Sequence, residues 1–366
     1  MIVSTLLVYS ATIDSPKFEN FDIKRNLYLY GLGFLVFFLI MMIDFRLIVK
    51  GFIYLYIMGI MLLVAVIFYG IEINGARAWF TIPIINQDFQ PGELMKLILI
   101  ITISALMIKR AGDKLLLWQD IVPIAIIALI PFALVFITND LGNAIIYLVV
   151  LLGMYWIGNI KYKYVIFGTL IFTLFIVSFV YLFKTYHEPI KVFLQEHEKG
   201  HWVERLDAFI DPENATDKAK YQVVQSKRAI GSGALIGDGY LRGDSIHKNF
   251  VPVAYTDGIF VVVGEEFGFI GAAVLLLLYF LLIYRMIMIS IQTMDLSGSY
   301  MIVGIVSMFV FQIFENIGSL IGLMPLTGIT LPFISYGGSS LMINMACLGI
   351  VMSVRVHQEK LSMFQE

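Results

Sequence analysis

Residues 259 to 284 read IFVVVGEEFGFIGAAVLLLLYFLLIY, an apolar run longer than the roughly 20 residues an α-helix needs to cross a bilayer. The tetrapeptide before it, Tyr255-Thr256-Asp257-Gly258, puts a carboxylate where a polar segment enters that run. Working outward, eight further runs bounded by charge, Gly or Pro cover 27 to 43, 47 to 70, 93 to 108, 120 to 138, 142 to 158, 164 to 183, 299 to 322 and 338 to 354. Residues 1 to 13 form a tenth, shorter stretch without the basic n-region or small-residue cleavage site of a signal peptide, and are expected to be a short or N-terminally trimmed first helix. The expected fold is all-α: a polytopic integral membrane protein of about ten transmembrane helices, forming one domain over residues 1 to 366.

Composition agrees, since 59% of the 366 residues are apolar and only 14% are charged, with a mean hydropathy of +0.87. Ordinary soluble domains do not have this balance. A net charge of -2 offers no cationic field for nucleic acid, so DNA and RNA are excluded as partners. The single cysteine, Cys347, lies in an apolar run and reads as a small buried hydrophobe.

Lys and Arg in the short connections set the expected orientation. One side carries Arg46, Lys50, Lys109, Arg110, Lys114, Lys161, Lys163, Arg285, Arg355 and Lys360, whereas the other carries Lys17, Lys24, Arg25 and Arg77. The first side, with both termini, is expected in the cytoplasm. Residues 184 to 258 then form one large extracytoplasmic loop, with ten Lys or Arg against eleven Asp or Glu and four of the five histidines. Apolar positions such as Val192, Phe193, Leu206, Phe209 and Ile210 recur there at roughly helical spacing, which suggests short amphipathic helices on the membrane surface.

Chemistry is expected on that outer side. His197-Glu198-Lys199-Gly200-His201 fits a zinc-binding H-E-x-x-H, but Gly200 weakens the helix such a site needs and no third ligand is evident. Glu93 and Lys96, in Gln90-Pro91-Gly92-Glu93-Leu94-Met95-Lys96, lie at i and i+3 in the first turns of a helix. They read either as an ion pair or, because a lysine near the bilayer interior is costly, as functional groups. Lys227 and Arg228 precede the glycine-rich Gly231-Ser232-Gly233-Ala234-Leu235-Ile236-Gly237-Asp238-Gly239. Backbone amides and cations of this kind suit a diphosphate, and a plain surface turn explains the pattern as well. Asp257 is either a partly desolvated base or a helix N-cap, and Asp140 reads chiefly as a cap. Two prolines and several glycines in residues 324 to 340 preclude a regular helix, so this stretch is expected to line a cavity. Gln312, Glu315 and Asn316 form a second costly polar cluster.

Taken in order, GARAWF (75 to 80), QPGELMKL (90 to 97), NDLGNA (139 to 144), YQVVQSKRAIGSGALIGDG (221 to 239), YTDGIF with GEEFGFIG, and MPLTGITLPFISYGGSS (324 to 340) resemble the SEDS family of bacterial cell-shape, division and sporulation proteins. The Gln225-Ser226-Lys227 tripeptide, NFVP (249 to 252) and MPLTG look most like its RodA elongation branch. The chain departs from the family at Tyr255, Gly258 and Gly92, where histidine, phenylalanine and serine are usual. The resemblance implies a peptidoglycan glycosyltransferase that polymerises lipid II outside the plasma membrane with a class B penicillin-binding protein, and Asp257 matches the family's essential acidic position. Expected substrate-binding residues are Arg77, Glu93, Lys96, Gln225, Lys227, Arg228 and Ser339. No cofactor is certain; a divalent cation, Mg²⁺ or Mn²⁺, could assist the diphosphate. A lipid flippase or secondary transporter would use similar intramembrane polar groups and is the rival from another class.

Overall fold

The computed structural model describes residues 1–13, 23–73, 75–82, 87–110, 112–196, 207, 217–248, 250–252 and 254–363. Eight helical segments among them are long and apolar enough to cross a membrane, and the protein is a polytopic membrane protein. The spans begin with α2 (Ile23–Met42) and α4 (Phe52–Tyr69), continue through α5 (Pro91–Met107), α6 (Val122–Ile137) and α8 (Tyr162–Thr185), and end with α12 (Ile259–Gln292), α13 (Leu296–Leu320) and α14 (Gly338–Met363). Two shorter apolar helices, α1 (Ile2–Thr12) and α7 (Leu141–Ile157), bring the apolar helices to the ten expected. The helix expected over 47 to 70 is divided, because Asp44 caps a separate short helix, α3 (Phe45–Lys50), and Gly51 turns the chain into α4.

Sequence chemistry accounts for the helix ends. Pro91 opens α5, where its missing N–H costs nothing. Asp140 caps α7 by accepting from the Asn143 amide, and Asp295 caps α13 through Ser297. α5 is the most buried span, packed among α4, α7 and α13, while α14 runs along α2 and α12 along α13. α8 is the most lipid-exposed span.

One departure from an all-helical chain lies between α4 and α5. Strands β1 (Ile71–Ile73), β2 (Ala76–Ile82) and β3 (Gln87–Phe89) form a small antiparallel sheet in the order β1-β2-β3. Backbone and side-chain hydrogen bonds pin it to the α6–α7 turn, from Arg77 N to Thr138 O at 3.0 Å and from Asn139 Nδ2 to Gly75 O at 3.4 Å. In the large loop, α9 (His187–Glu196), α10 (Asp217–Ser232) and α11 (Asp244–His247) are helical. α9 has the expected amphipathic character. Residues 197 to 201, with the H-E-x-x-H pattern, lie outside the described residues.

Candidate active site

The irregular segment between α13 and α14 closes one end of the bundle. Phe333 within it takes φ 62°, a left-handed conformation rare for a bulky residue, and packs against all three hydrophobic clusters of the protein. Ser335 fixes the fold of this segment, accepting from Leu331 N at 2.8 Å and donating to Thr256 O at 2.5 Å. Tyr336 N donates to Tyr255 O at 2.9 Å. The wall is thus stitched to the residues that carry Asp257.

Between that wall, the sheet and the starts of α2, α5 and α7 lies a cavity of about 460 Å³. Its lining includes Arg25, Trp79, Gln87, Asp88, Gln90, Glu93, Asn139, Asp140, Asn143, Tyr255, Thr256, Asp257, Thr327, Ser339 and Ser340. The expected cavity wall is therefore where the sequence placed it.

Asp257 sits just before α12, and Gly258 occupies the N-cap position of that helix. The cap position that the sequence offered to Asp257 is taken by its neighbour Gly258. The Asp257 backbone carbonyl accepts from Asn316 Nδ2 at 2.7 Å, and the same amide donates to Ile329 O at 2.8 Å. Asn316, buried in α13, thereby ties the Asp257 backbone to the cavity wall. Thr256 Oγ1 donates to the Asp257 carboxylate at 3.1 Å. Thr327, another wall residue, is hydrogen-bonded to Glu315 of α13. The polar cluster of α13 thus supports the wall from behind.

Asp140 is built differently. Its carboxylate accepts from Gln90 Nε2 at 2.6 Å, from Asn143 Nδ2 at 2.8 Å and from the Asn143 amide at 3.3 Å. Burial pushes its pKa up, and the Asn143 hydrogen bonds oppose that rise. Burial also raises the Tyr255 phenol, with the Asp257 charge adding to the effect. From the lining, Glu93 Oε2 reaches back to Lys96 Nζ in a 2.7 Å ion pair in which the lysine is fully buried. An uncompensated ion at that depth would be far costlier than the pair.

Of the expected site residues, Asp257, Glu93 and Ser339 line the cavity, and Lys96 lies behind Glu93. Ser339 accepts from Gln90 N at 3.1 Å and donates to Asp88 O at 2.8 Å, locking the sheet to α5 and α14. Arg77, Gln225, Lys227 and Arg228 are not among the lining residues. Arg77 is exposed on β2, opposite Glu72. The Lys227 side chain lies over Gly322, just past the end of α13.

The glycine-rich turn after α10 is also engaged elsewhere. Asp238 N and Gly239 N donate to the carbonyls of Glu265 and Glu266, at 2.9 and 3.0 Å. Arg25 is the lining cation that sequence reasoning did not assign to the site. Gln87, with its amide oxygen turned inward, accepts two hydrogen bonds from the Arg25 guanidinium at 2.9 Å. Its only signal was a cation beside the start of α2, and the partner that fixes it lies in a different connection.

Four lining carboxylates, Asp88, Glu93, Asp140 and Asp257, face one lining guanidinium. Among the described residues no group of three or more His, Cys, Asp or Glu could hold a metal ion.

The family model for the cell cycle proteins FtsW, RodA and SpoVE matches residues 1–360. The peptidoglycan glycosyltransferase MrdB of Escherichia coli K12 is 33% identical over 374 aligned positions, covering 99% of this chain and 94% of that protein. Stage V sporulation protein E of Bacillus subtilis 168 is 32% identical, covering 97% and 93%. Among solved structures, a chain from a peptidoglycan synthase complex superposes with a TM-score of 0.73 at 27% identity, covering 98% of this chain and 96% of its own. The rod shape determining protein RodA of Thermus thermophilus gives 0.68 at 27% identity, covering 98% and 93%.

Proposed function

Because the chain belongs to the FtsW/RodA/SpoVE family and is a peptidoglycan glycosyltransferase, we propose that its cavity joins lipid II units on the outer face of the bacterial plasma membrane during cell elongation. The observation that carries this reading is the placement of Asp257: a carboxylate lining a polar cavity, one position before the N-cap of a long helix. The cavity lies at the end of the bundle opposite the Arg46–Asp295 ion pair, and the excess of Lys and Arg at that far end supports an extracytoplasmic cavity.

In the proposed reaction a sugar hydroxyl of one lipid II attacks the anomeric carbon of another. The new glycosidic C–O bond forms as the C–O bond to the diphosphate breaks, and the hydroxyl proton passes to the Asp257 carboxylate. The anomeric carbon inverts. Thr256 holds the carboxylate, and the Asn316 bridge holds its backbone against the wall. Arg25 takes the cationic role first assigned to Lys227 and Arg228, because it is the cation on the lining. The lining's acidic excess makes further positive charge necessary for a diphosphate. A divalent cation, Mg²⁺ or Mn²⁺, shared between lining carboxylates and the diphosphate would supply it and leave Asp257 to the proton. Polymerisation is then expected to stop on chelation and to return on adding either ion.

The partner in this reading is a class B penicillin-binding protein. The likeness to a chain from a peptidoglycan synthase complex supports it. The test is purified protein with that partner and lipid II in detergent, scored for glycan strands. A transporter, having no gradient in detergent, would make none. Asp257→Asn is expected to fold and bind its partner yet lose on the order of 10²-fold or more in rate, the loss typical of a missing general base. Near-normal synthesis by well-folded Asp257→Asn would remove the assignment.

A further inference from the structure

α12 is too long for a simple span. Unbroken, its 34 residues would rise about 51 Å, against a hydrocarbon core of roughly 30 Å. Even a tilt of about 40° leaves it near 39 Å. The surplus is marked in the helix itself. Residues 259–266 are buried by protein, and the helical geometry is interrupted at Gly268, with φ 61° and ψ -160°. Exposed apolar side chains begin at Phe269 and Ile270. From Gly268 to Gln292 the helix rises about 37 Å, which puts Gly268 near the boundary of the hydrocarbon on the large-loop side.

The glycine-rich turn meets α12 at this boundary. Phe269 N donates to Ala234 O at 2.9 Å, and Ile270 N donates to Leu235 O at 3.1 Å. A Cβ on Gly268 would stand 2.4 Å from Gly237 N, so the turn is pressed against the interruption. At its tip two consecutive aliphatic side chains point away from the protein, Leu235 at 66% and Ile236 at 78% exposure. Next to the tip, Tyr240 OH donates to Leu6 O of α1 at 3.2 Å, and Leu6 is itself an exposed apolar residue. The tip therefore lies between two apolar helices, α1 and the exposed part of α12. Its carbonyls at Gly233, Ala234 and Leu235 are already paired within the chain, which immersion in hydrocarbon requires of backbone polar groups.

We propose that Leu235 and Ile236 insert into the acyl region of the leaflet on the large-loop side, making this turn a membrane anchor. Lipid is favoured as the occupant because the tip continues the apolar surfaces of two helices at the depth where the α12 surface changes from protein-covered to exposed. The anchor fixes the height of α10 and of the buried part of α12 above the bilayer, and it stands whatever chemistry the cavity performs.

A nitroxide on a single cysteine at Ile236, in a Cys347→Ala background, reads this directly. The protein is placed without any partner in nanodiscs of phosphatidylethanolamine and phosphatidylglycerol. Collision rates with oxygen and with a water-soluble nickel chelate are compared with those of labels at Leu277 and Lys248. Leu277 is exposed on the span and Lys248 on the loop. The Ile236 label is expected to match Leu277, favouring oxygen and shielded from nickel. Nickel access equal to that at Lys248 would overturn the anchor and leave a partner's apolar segment as the occupant. Shielding from both reagents would overturn it as well, because the tip would then be packed in protein. If the Ile236→Cys protein does not fold, the same measurement at Leu235→Cys decides between the same outcomes.

Discussion

The two glycine-rich segments of the large-loop side look alike in sequence and do opposite work. Residues 231 to 239 turn inward on their own chain: amides of Gly237, Asp238 and Gly239 are taken by carbonyls at 233, 265 and 266. Residues 324 to 340 instead form a wall whose Thr327, Thr330, Ser339 and Ser340 line a cavity. Glycine permits close backbone approach in both cases, to a helix in one and around a cavity in the other. What separates them is whether the chain already holds partners for the amides it brings near. The diphosphate-binding reading of the first segment needed amides that the α12 interruption consumes.

This contrast is open to attack by substitution, and the largest effect is expected at Gly268. Its φ of 61° with ψ of -160° is an essentially glycine-only conformation that costs a side chain on the order of 1–3 kcal/mol. A Cβ there would also meet Gly237 N, Gly233 O and Leu235 C, all backbone atoms and all within 2.8 Å. Gly268→Val should sharply lower the yield and thermal midpoint of folded protein. A folded Gly268→Val protein with unchanged melting would break the claim that the first segment is structural.

The next effect is expected on the cavity side, at Arg25. Arg25→Lys keeps the charge but loses the planar fork that meets Gln87. With one charge-assisted hydrogen bond to the diphosphate gone, at about 1.5–3 kcal/mol, lipid II should bind at least tenfold more weakly, while loss of the fork to Gln87 lowers the thermal midpoint only modestly. Titration of lipid II into the purified complex measures this. Unchanged affinity would shift the diphosphate away from Arg25.

The spans were legible because twenty-residue apolar runs need no partner elsewhere to be recognised. Asp257 was legible for a related reason, since a carboxylate at the junction of a polar loop and an apolar helix is a local feature. Whether it capped that helix was not local: the presence of Gly258 at the cap and the bridge from Asn316 emerge only in three dimensions. The sheet of β1 to β3 escaped because two of its strands have three residues each, too short for alternation to register. Arg25 escaped because its significance rests on Gln87, 62 positions later, and on a cavity assembled from five connections. Cations beside glycines in one stretch, as at Lys227 and Arg228, are easy to see and say little about what they face.

Those two cations give the smallest expected effect and the finest test of the contrast. Lys227 is exposed, with its ammonium end over Gly322 at the C-terminal end of α13, where the last turn of a helix favours a positive charge. Arg228 is exposed on α10, and neither side chain lines the cavity. Lys227→Gln therefore removes a charge–dipole contact worth about 0.3–1 kcal/mol of stability and no part of the site. The double variant with Arg228→Gln should melt slightly earlier and polymerise lipid II at nearly the parent rate. Were it to lose as much activity as a cavity variant while remaining folded, the large loop would have to swing these cations toward the substrate. The glycine-rich turn would then regain the phosphate-binding role that its hydrogen bonds now argue against.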